Sequence, residues 1–221
     1  MCNFVQGQLV SIAVIVFILG LVYQGIQFFK LTQKKEWVFP PLPIENKPEK
    51  KTAEQWIIQC LRSLDGTLWK TDRALTIATS VFHVCLIAAP LFLLGHNILL
   101  DQSWGLSLFS LPESFSDVLT LVVLICGAYF LWRRLFLARV RAISSIYDYI
   151  IILIAIAPFL TGFLAYHQWL DYRTVILLHI LSGELMLITI PFTKLGHMLF
   201  FFLYRFFIGS EYSFVRGSRT W

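Results

Sequence analysis

The sequence predicts an all-α membrane protein of five transmembrane helices, and three observations carry that prediction. Of 221 residues, 57% are hydrophobic, 16% aromatic and only 14% charged, with a mean hydropathy of +0.72, a composition foreign to water-soluble domains. Five apolar stretches, at residues 8–29, 74–100, 116–137, 147–167 and 173–204, are long enough to cross a hydrocarbon layer of about 30 Å as helices. Four histidines, His83, His96, His179 and His197, lie inside two of these stretches, where a neutral imidazole is costly without a metal, a partner or water. Unbroken apolar runs exclude a membrane barrel, whose strands alternate.

The first span lacks a basic leader and a small-residue cleavage site, so it reads as a retained helix rather than a secretory signal. A cytoplasmic loop over residues 30–73 follows. Phe39-Pro40-Pro41-Leu42-Pro43 is too proline-rich for a helix and reads as an extended spacer. Between Ala53 and Trp69, Trp56, Ile57, Cys60, Leu61, Leu64 and Leu68 recur at helical spacing, a pattern that fits a helix lying in the interface or docking a cytoplasmic subunit. The second span contains Pro90, and the third and fourth follow with short connections. The fifth runs from residue 173 to 204. Because nearly every residue belongs to a span or a connection, residues 1–221 read as a single membrane domain.

Charge placement orients the bundle. The chain carries a formal charge of +5 with a pI near 9.1, but its basic residues are segregated in a way that nucleic-acid binding does not require. Lys34, Lys35, Lys47, Lys50, Lys51, Arg62, Lys70 and Arg73 follow span one, Arg133, Arg134, Arg139 and Arg141 follow span three, and Arg205, Arg216 and Arg219 follow span five, whereas the opposite side has only Arg173. The positive-inside rule then places the N-terminus outside and the C-terminus in the cytoplasm. Asp101, Glu113, Asp117 and Asp171 make the outer connections mildly acidic.

Cys2, Cys60, Cys85 and Cys126 are scattered, without the paired spacing of a zinc or iron–sulfur site and without a CxxCH attachment sequence. Cys85 reads as a small buried apolar residue. The histidines are different. His179 and His197 are eighteen residues apart, about five turns, so a continuous helix would place both on one face about 27 Å apart. His83 and His96, thirteen apart, would be rotated by about 220° on an ideal helix, so the second span must bend, and Pro90 between them is the expected place. Gly95 would let a flat ring approach the backbone beside His96. Spans two and five run in opposite directions, which pairs His83 with His197 nearer the cytoplasm and His96 with His179 nearer the outside. Two b-type haems, each held by two imidazoles in the bundle core, fit this layout.

These residues resemble the cytochrome b (gamma) subunit family of respiratory nitrate reductase and its relatives in the Tmc, Hmc and Dsr membrane complexes of sulfate reducers, over nearly the whole chain. The resemblance lies in Phe82-His83, Gly95-His96, Leu178-His179-Ile180-Leu181 and Pro191-Phe192-Thr193-Lys194-Leu195-Gly196-His197. The Tmc-type branch is the nearer, through Pro90-Leu91-Phe92-Leu93-Leu94-Gly95-His96-Asn97, Arg133-Arg134, Pro158-Phe159-Leu160-Thr161-Gly162-Phe163 and Arg216-Gly217. In the nitrate reductase branch the span-two histidines lie closer together than here. The resemblance implies two haem b groups in a bacterial cytoplasmic membrane and a cytoplasmic iron–sulfur subunit as partner. The electron donor or acceptor it implies outside is menaquinone or a periplasmic multihaem cytochrome c.

Other polar residues have two readings each. Glu184 and His167 are candidate proton acceptors at a quinone site with Gly95; alternatively they bond to a neighbouring helix or sit inert at the interface. Lys194, Arg133 and Arg134 are candidate partners of haem propionates, and equally serve as positive-inside anchors. The expectation is an electron-transfer subunit of an oxidoreductase complex. The alternative is a haem-free transporter or structural anchor whose histidines serve proton coupling or packing, against which the lack of a repeated half counts.

Overall fold

In lipid the backbone must satisfy its own hydrogen bonds, which leaves helices as the local solution for long apolar runs. The computed structural model describes residues 4–33, 72–198 and 200–201; the spacer at Phe39–Pro43, the interface helix expected over 53–69 and the C-terminal residues 202–221 lie outside the described residues. A π-helical turn, Phe4–Leu9, leads into α1, Val10–Gln33. Then come α2, Arg73–Phe92; α3, Leu94–Trp104; α4, Glu113–Phe136; the single turn α5, Ala138–Arg141; α6, Ile146–His167; and α7, Tyr172–Thr189. Two 3-10 turns, Ile190–Phe192 and Lys194–Gly196, follow. Five stretches among the described residues are long and apolar enough to span a membrane: Gly7–Lys30, Arg73–Phe92, Glu113–Phe136, Ile146–His167 and Tyr172–Phe192. The chain is a multi-pass, all-α membrane protein.

Side chains at the helix ends fix where the spans begin. Asp72 caps α2 by accepting from the Leu75 N–H at 3.0 Å, and its other oxygen accepts from Arg133 at 2.7 Å, tying the start of α2 to the end of α4. Ser145 and Asp148 form a reciprocal capping box on α6, satisfying amide groups that the first turn leaves bare. Asp171 accepts from the Thr174 N–H at 2.9 Å and starts α7.

Two spans are broken: the second, where a bend at Pro90 was expected, and the fifth, where a continuous helix was. The second span, expected over residues 74–100, divides at Leu93, whose extended backbone (φ −71°, ψ 128°) separates α2 from α3. This is three residues past Pro90, which is itself accommodated inside α2. The break frees the Phe92 carbonyl, which accepts the Leu111 N–H from the returning loop at 2.9 Å. Buried Asn97 holds the same loop through Ser110 Oγ at 2.9 Å. The fifth span, expected to run as one helix from 173 to 204, leaves the α conformation after Thr189. Pro191 has no N–H to continue the ladder, Thr193 is extended (φ −126°), and its Oγ1 accepts from the Leu195 N–H at 3.2 Å. The five-turn arithmetic linking His179 to His197 therefore does not describe this segment.

The helices form an open arc: α2 packs on α4, α4 on α6, α6 on α7, and α7 on α1. Gly127 makes the α4–α6 approach feasible, since a Cβ there would overlap Ile156. The apolar core lies between α2, α4 and α6, around Phe82, Cys85, Leu86, Ala89, Val123 and Phe159. The two arms of the arc, α2–α3 and α7 with its 3-10 turns, make few close backbone approaches; Met186 and Met198 pack on the core cluster, and the histidine rings face one another across the remaining gap. On the outside, α1 exposes Ile12, Ile15, Leu19, Val22 and Ile26, a face suited to lipid.

Candidate cofactor site

The gap between the arms is where the histidines meet. The ring centroids of His83, on α2, and His197, just after the second 3-10 turn, are 5.7 Å apart with ring planes at 79°. Those of His96, on α3, and His179, on α7, are 5.9 Å apart with planes at 16°. Two imidazoles on opposite sides of one metal ion, each bonded at about 2 Å, have centroids separated by about 6 Å. The break at Leu93 supplies the reorientation that His83 and His96 need, and the 3-10 turns bring His197 round to the same gap.

All four imidazoles are set the same way. Nδ1 of His83 lies 2.7 Å from the Thr79 carbonyl, Nδ1 of His96 is 2.9 Å from the Pro90 carbonyl, and Nδ1 of His179 is 2.8 Å from the Pro158 carbonyl. Nδ1 of His197 bonds the Lys194 carbonyl. A carbonyl oxygen only accepts, so Nδ1 carries a proton in each ring, which in the neutral imidazole leaves Nε2 with its lone pair. That is the tautomer of a metal-ligating histidine, whose other nitrogen donates to a backbone carbonyl or carboxylate. The donor set would suit a group held by two imidazoles at each pair.

The surroundings of His179 are built for it. Thr161 Oγ1 lies 3.4 Å from its Nδ1 and 3.2 Å from Ser182 Oγ, linking α6 to α7. Gly162 lets the ring lie against α6: a Cβ there would stand 3.0 Å from Cε1 and 3.1 Å from Nδ1. On the other arm, Gly95 borders open space, with nothing within 4 Å of a Cβ built on it. At the inner end a cleft of about 510 Å³ opens beside His197, lined by Gln24, Thr193 and Lys194 among others. Among the described residues no three or more His, Cys, Asp or Glu side chains converge as a metal cage.

The remaining candidates sit as follows. Arg133 is paired with Asp72 at 2.7 Å, Lys194 with Asp148 at 2.8 Å, and Arg134 donates to Ser144 Oγ at 2.8 Å, so all three hold helix ends together on the His83–His197 side. The Leu75 amide, then the Arg133 guanidinium, hold the Asp72 carboxyl below the usual aspartate range. His167 bonds Asp117 at 3.1 Å and lies among Phe163, Tyr166 and Trp169. Glu184 is 5% exposed and its Oε1 has no hydrogen-bond partner among the described residues. Sequence reasoning assigned no role to Thr79, Thr161, Gly162 or the Pro158 carbonyl, although Pro158, Thr161 and Gly162 stood in one of the motifs that carried the family resemblance.

A protein of Nitratidesulfovibrio vulgaris is 36% identical over 224 residues, an alignment taking in 100% of this chain and 97% of the relative. The chain belongs to that protein's family. The family is thus represented end to end by a chain of nearly the same length, which makes the whole bundle the shared unit. No family model and no solved structure matches.

Proposed function

We propose that this chain is the di-haem b membrane subunit of a respiratory redox complex, carrying electrons across the bilayer between two partners. The observation that supports it most is the common setting of four imidazoles: two pairs across one gap, every Nδ1 bonded to a backbone carbonyl and every Nε2 left with a free lone pair. His83 and His197 would hold the inner group, and His96 and His179 the outer. When bound, haem supplies a one-electron iron couple. The chain's own residues fix the ligand rings by their Nδ1 bonds, which tunes a potential.

The orientation that supports this transfer has the N-terminus outside and the basic ends of the helices in the cytoplasm. There a subunit with iron–sulfur centres would exchange electrons with the inner pair. On the outer side, menaquinol near Gly95, His96 and His179, or a periplasmic multihaem cytochrome c on the acidic connections, would serve the outer pair. A visible spectrum of the purified chain expressed with haem supplied tests the reading. Reduced b-type bands at two haems per chain are expected; a protein without such bands refutes it. Reduction of those bands by quinol, or by a reduced cytochrome c alone, then decides the outer partner.

A further inference from the structure

We propose that Glu184 is a redox-linked proton site, binding a proton from water as a one-electron donor reduces the centre held by the histidine pairs and releasing it on oxidation. The inference rests on the di-haem reading. Its structural basis is a carboxylate in the middle of the α7 span that is 5% exposed, with Oε1 unpartnered. Among the described residues it makes no hydrogen bond or ion pair. The ionisable groups of the elements packed on α7 lie elsewhere: Tyr147, Asp148, Tyr149, Tyr166 and His167 at the two ends of α6, Tyr23 and Lys30 in the later half of α1. On its own segment are Tyr172, Arg173, His179 and, past the 3-10 turns, Lys194 and His197. Across the gap are His83 and His96, whose Nδ1 atoms are bound to carbonyls. Gly183 beside it borders open space, with nothing within 4 Å of a Cβ built there.

An ionised carboxylate removed from water without a counter-ion is costly. The charge able to offset that cost here is the net positive charge of an oxidised iron centre with two neutral imidazoles and a dianionic macrocycle. Reduction cancels it. Glu184 then forms an O–H bond with a proton drawn from water, the electron comes from the external donor, and no bond to iron changes. As a scale, cancelling a unit charge at a separation of about 12 Å from a carboxyl, in an effective dielectric of about 20, alters its protonation equilibrium about tenfold, and the expected effect is of that order. Nothing in this requires Glu184 to touch a quinone.

Redox titration of the b-type bands of the purified full chain across the neutral pH range tests the proposal. The midpoint of the nearer haem should fall from its acid limit to its alkaline limit by about 59 mV in total, the one-electron equivalent of tenfold. Glu184→Gln should hold the midpoint near the acid-limit value at every pH, and Glu184→Asp should keep the fall. Redox-difference infrared spectra of the native chain should show a protonated carboxyl band on reduction that moves in heavy water and is missing in Glu184→Gln. If the Gln variant does not fold, the infrared band of the native chain and the Asp variant still decide. A pH-independent native midpoint, an unchanged slope in Glu184→Gln, or no carboxyl band overturns the proton site while leaving the haems in place. Absence of b-type bands altogether overturns both readings.

Discussion

Replacing Gly162 by alanine puts the setting of His179 to a direct test. The new Cβ would lie 3.0 Å from Cε1 and 3.1 Å from Nδ1 of the ring, where ordinary van der Waals contact begins at 3.4 Å, so the imidazole has to give by a few tenths of an ångström. It cannot do so freely. Nδ1 is held 2.8 Å from the Pro158 carbonyl, on the same helix as the intruding methyl, and backing away from one lengthens the other. A hydrogen bond of this kind contributes about 0.5–1.5 kcal/mol net, and disturbing an outer-shell partner of a ligating histidine typically costs about 10–100-fold in affinity for the bound group. Gly162→Ala should therefore weaken the outer haem by about 10–100-fold and leave the inner one alone. Gly25→Ala is the control, because its Cβ would meet nothing within 4 Å while the gain in helix propensity, about 0.5–1 kcal/mol, is the same. Haem content and the rate of haem loss to an excess of scavenging apoprotein measure the effect. Equal loss rates for the outer haem in Gly162→Ala, Gly25→Ala and the native chain would refute the packing argument.

The histidine pairs make a loading prediction: His83→Ala and His197→Ala should remove one spectral component, His96→Ala and His179→Ala the other, read from reduced-minus-oxidised spectra. Loss of the same component from His83→Ala and His96→Ala would break the pairing. Asp72 makes a pH prediction. Its carboxyl is held below the usual value of 3.8 in the folded chain, so its contribution to stability is full above that value and disappears as pH falls through the lowered one. Thermal unfolding of the native chain should thus lose stability below about pH 4, and Asp72→Asn, less stable at neutral pH, should lose less on acidification; parallel acid profiles would sink the argument.

The spans were legible because apolar length is a property of composition: the starts of all five expected spans fall within three residues of the spanning stretches observed. The pairing of histidines was legible from helix direction alone. What composition did not reveal was where helices stop being helices. Pro90 drew attention to the second span, yet the chain absorbs that proline and breaks at Leu93, because the backbone can shift the irregularity by a turn to a residue able to take an extended conformation. In the fifth span the apolar run continues through Pro191 and Thr193, so hydropathy reports one helix, while a missing N–H and a threonine side chain that caps the next turn impose two 3-10 turns. The roles of Arg133 and Lys194 were hidden for another reason. Their partners, Asp72 and Asp148, are 61 and 46 residues away in sequence, a separation only the fold can close.

The irregular backbone and the histidine chemistry are one solution to one problem. A ligating imidazole needs a firm acceptor for its Nδ1 proton, and inside a membrane the abundant acceptors are backbone carbonyls, most of them already taken by the helix ladder. A carbonyl has two lone pairs, so His83 can share the Thr79 carbonyl one turn back on the regular part of α2. Two of the others are placed at departures from regularity, and the third draws on a neighbouring helix. His96 reaches back six residues, across the Leu93 break, to the Pro90 carbonyl. His197 takes the Lys194 carbonyl in the second 3-10 turn. His179 reaches to α6, where the Pro158 carbonyl also accepts from Thr161. Straightening either broken span would therefore cost an imidazole its acceptor as well as its direction, and with it the tautomer that leaves Nε2 free. Prolines in the second, fourth and fifth spans thus belong to the candidate ligand site as much as the histidines do, although none of them needs to touch the bound group.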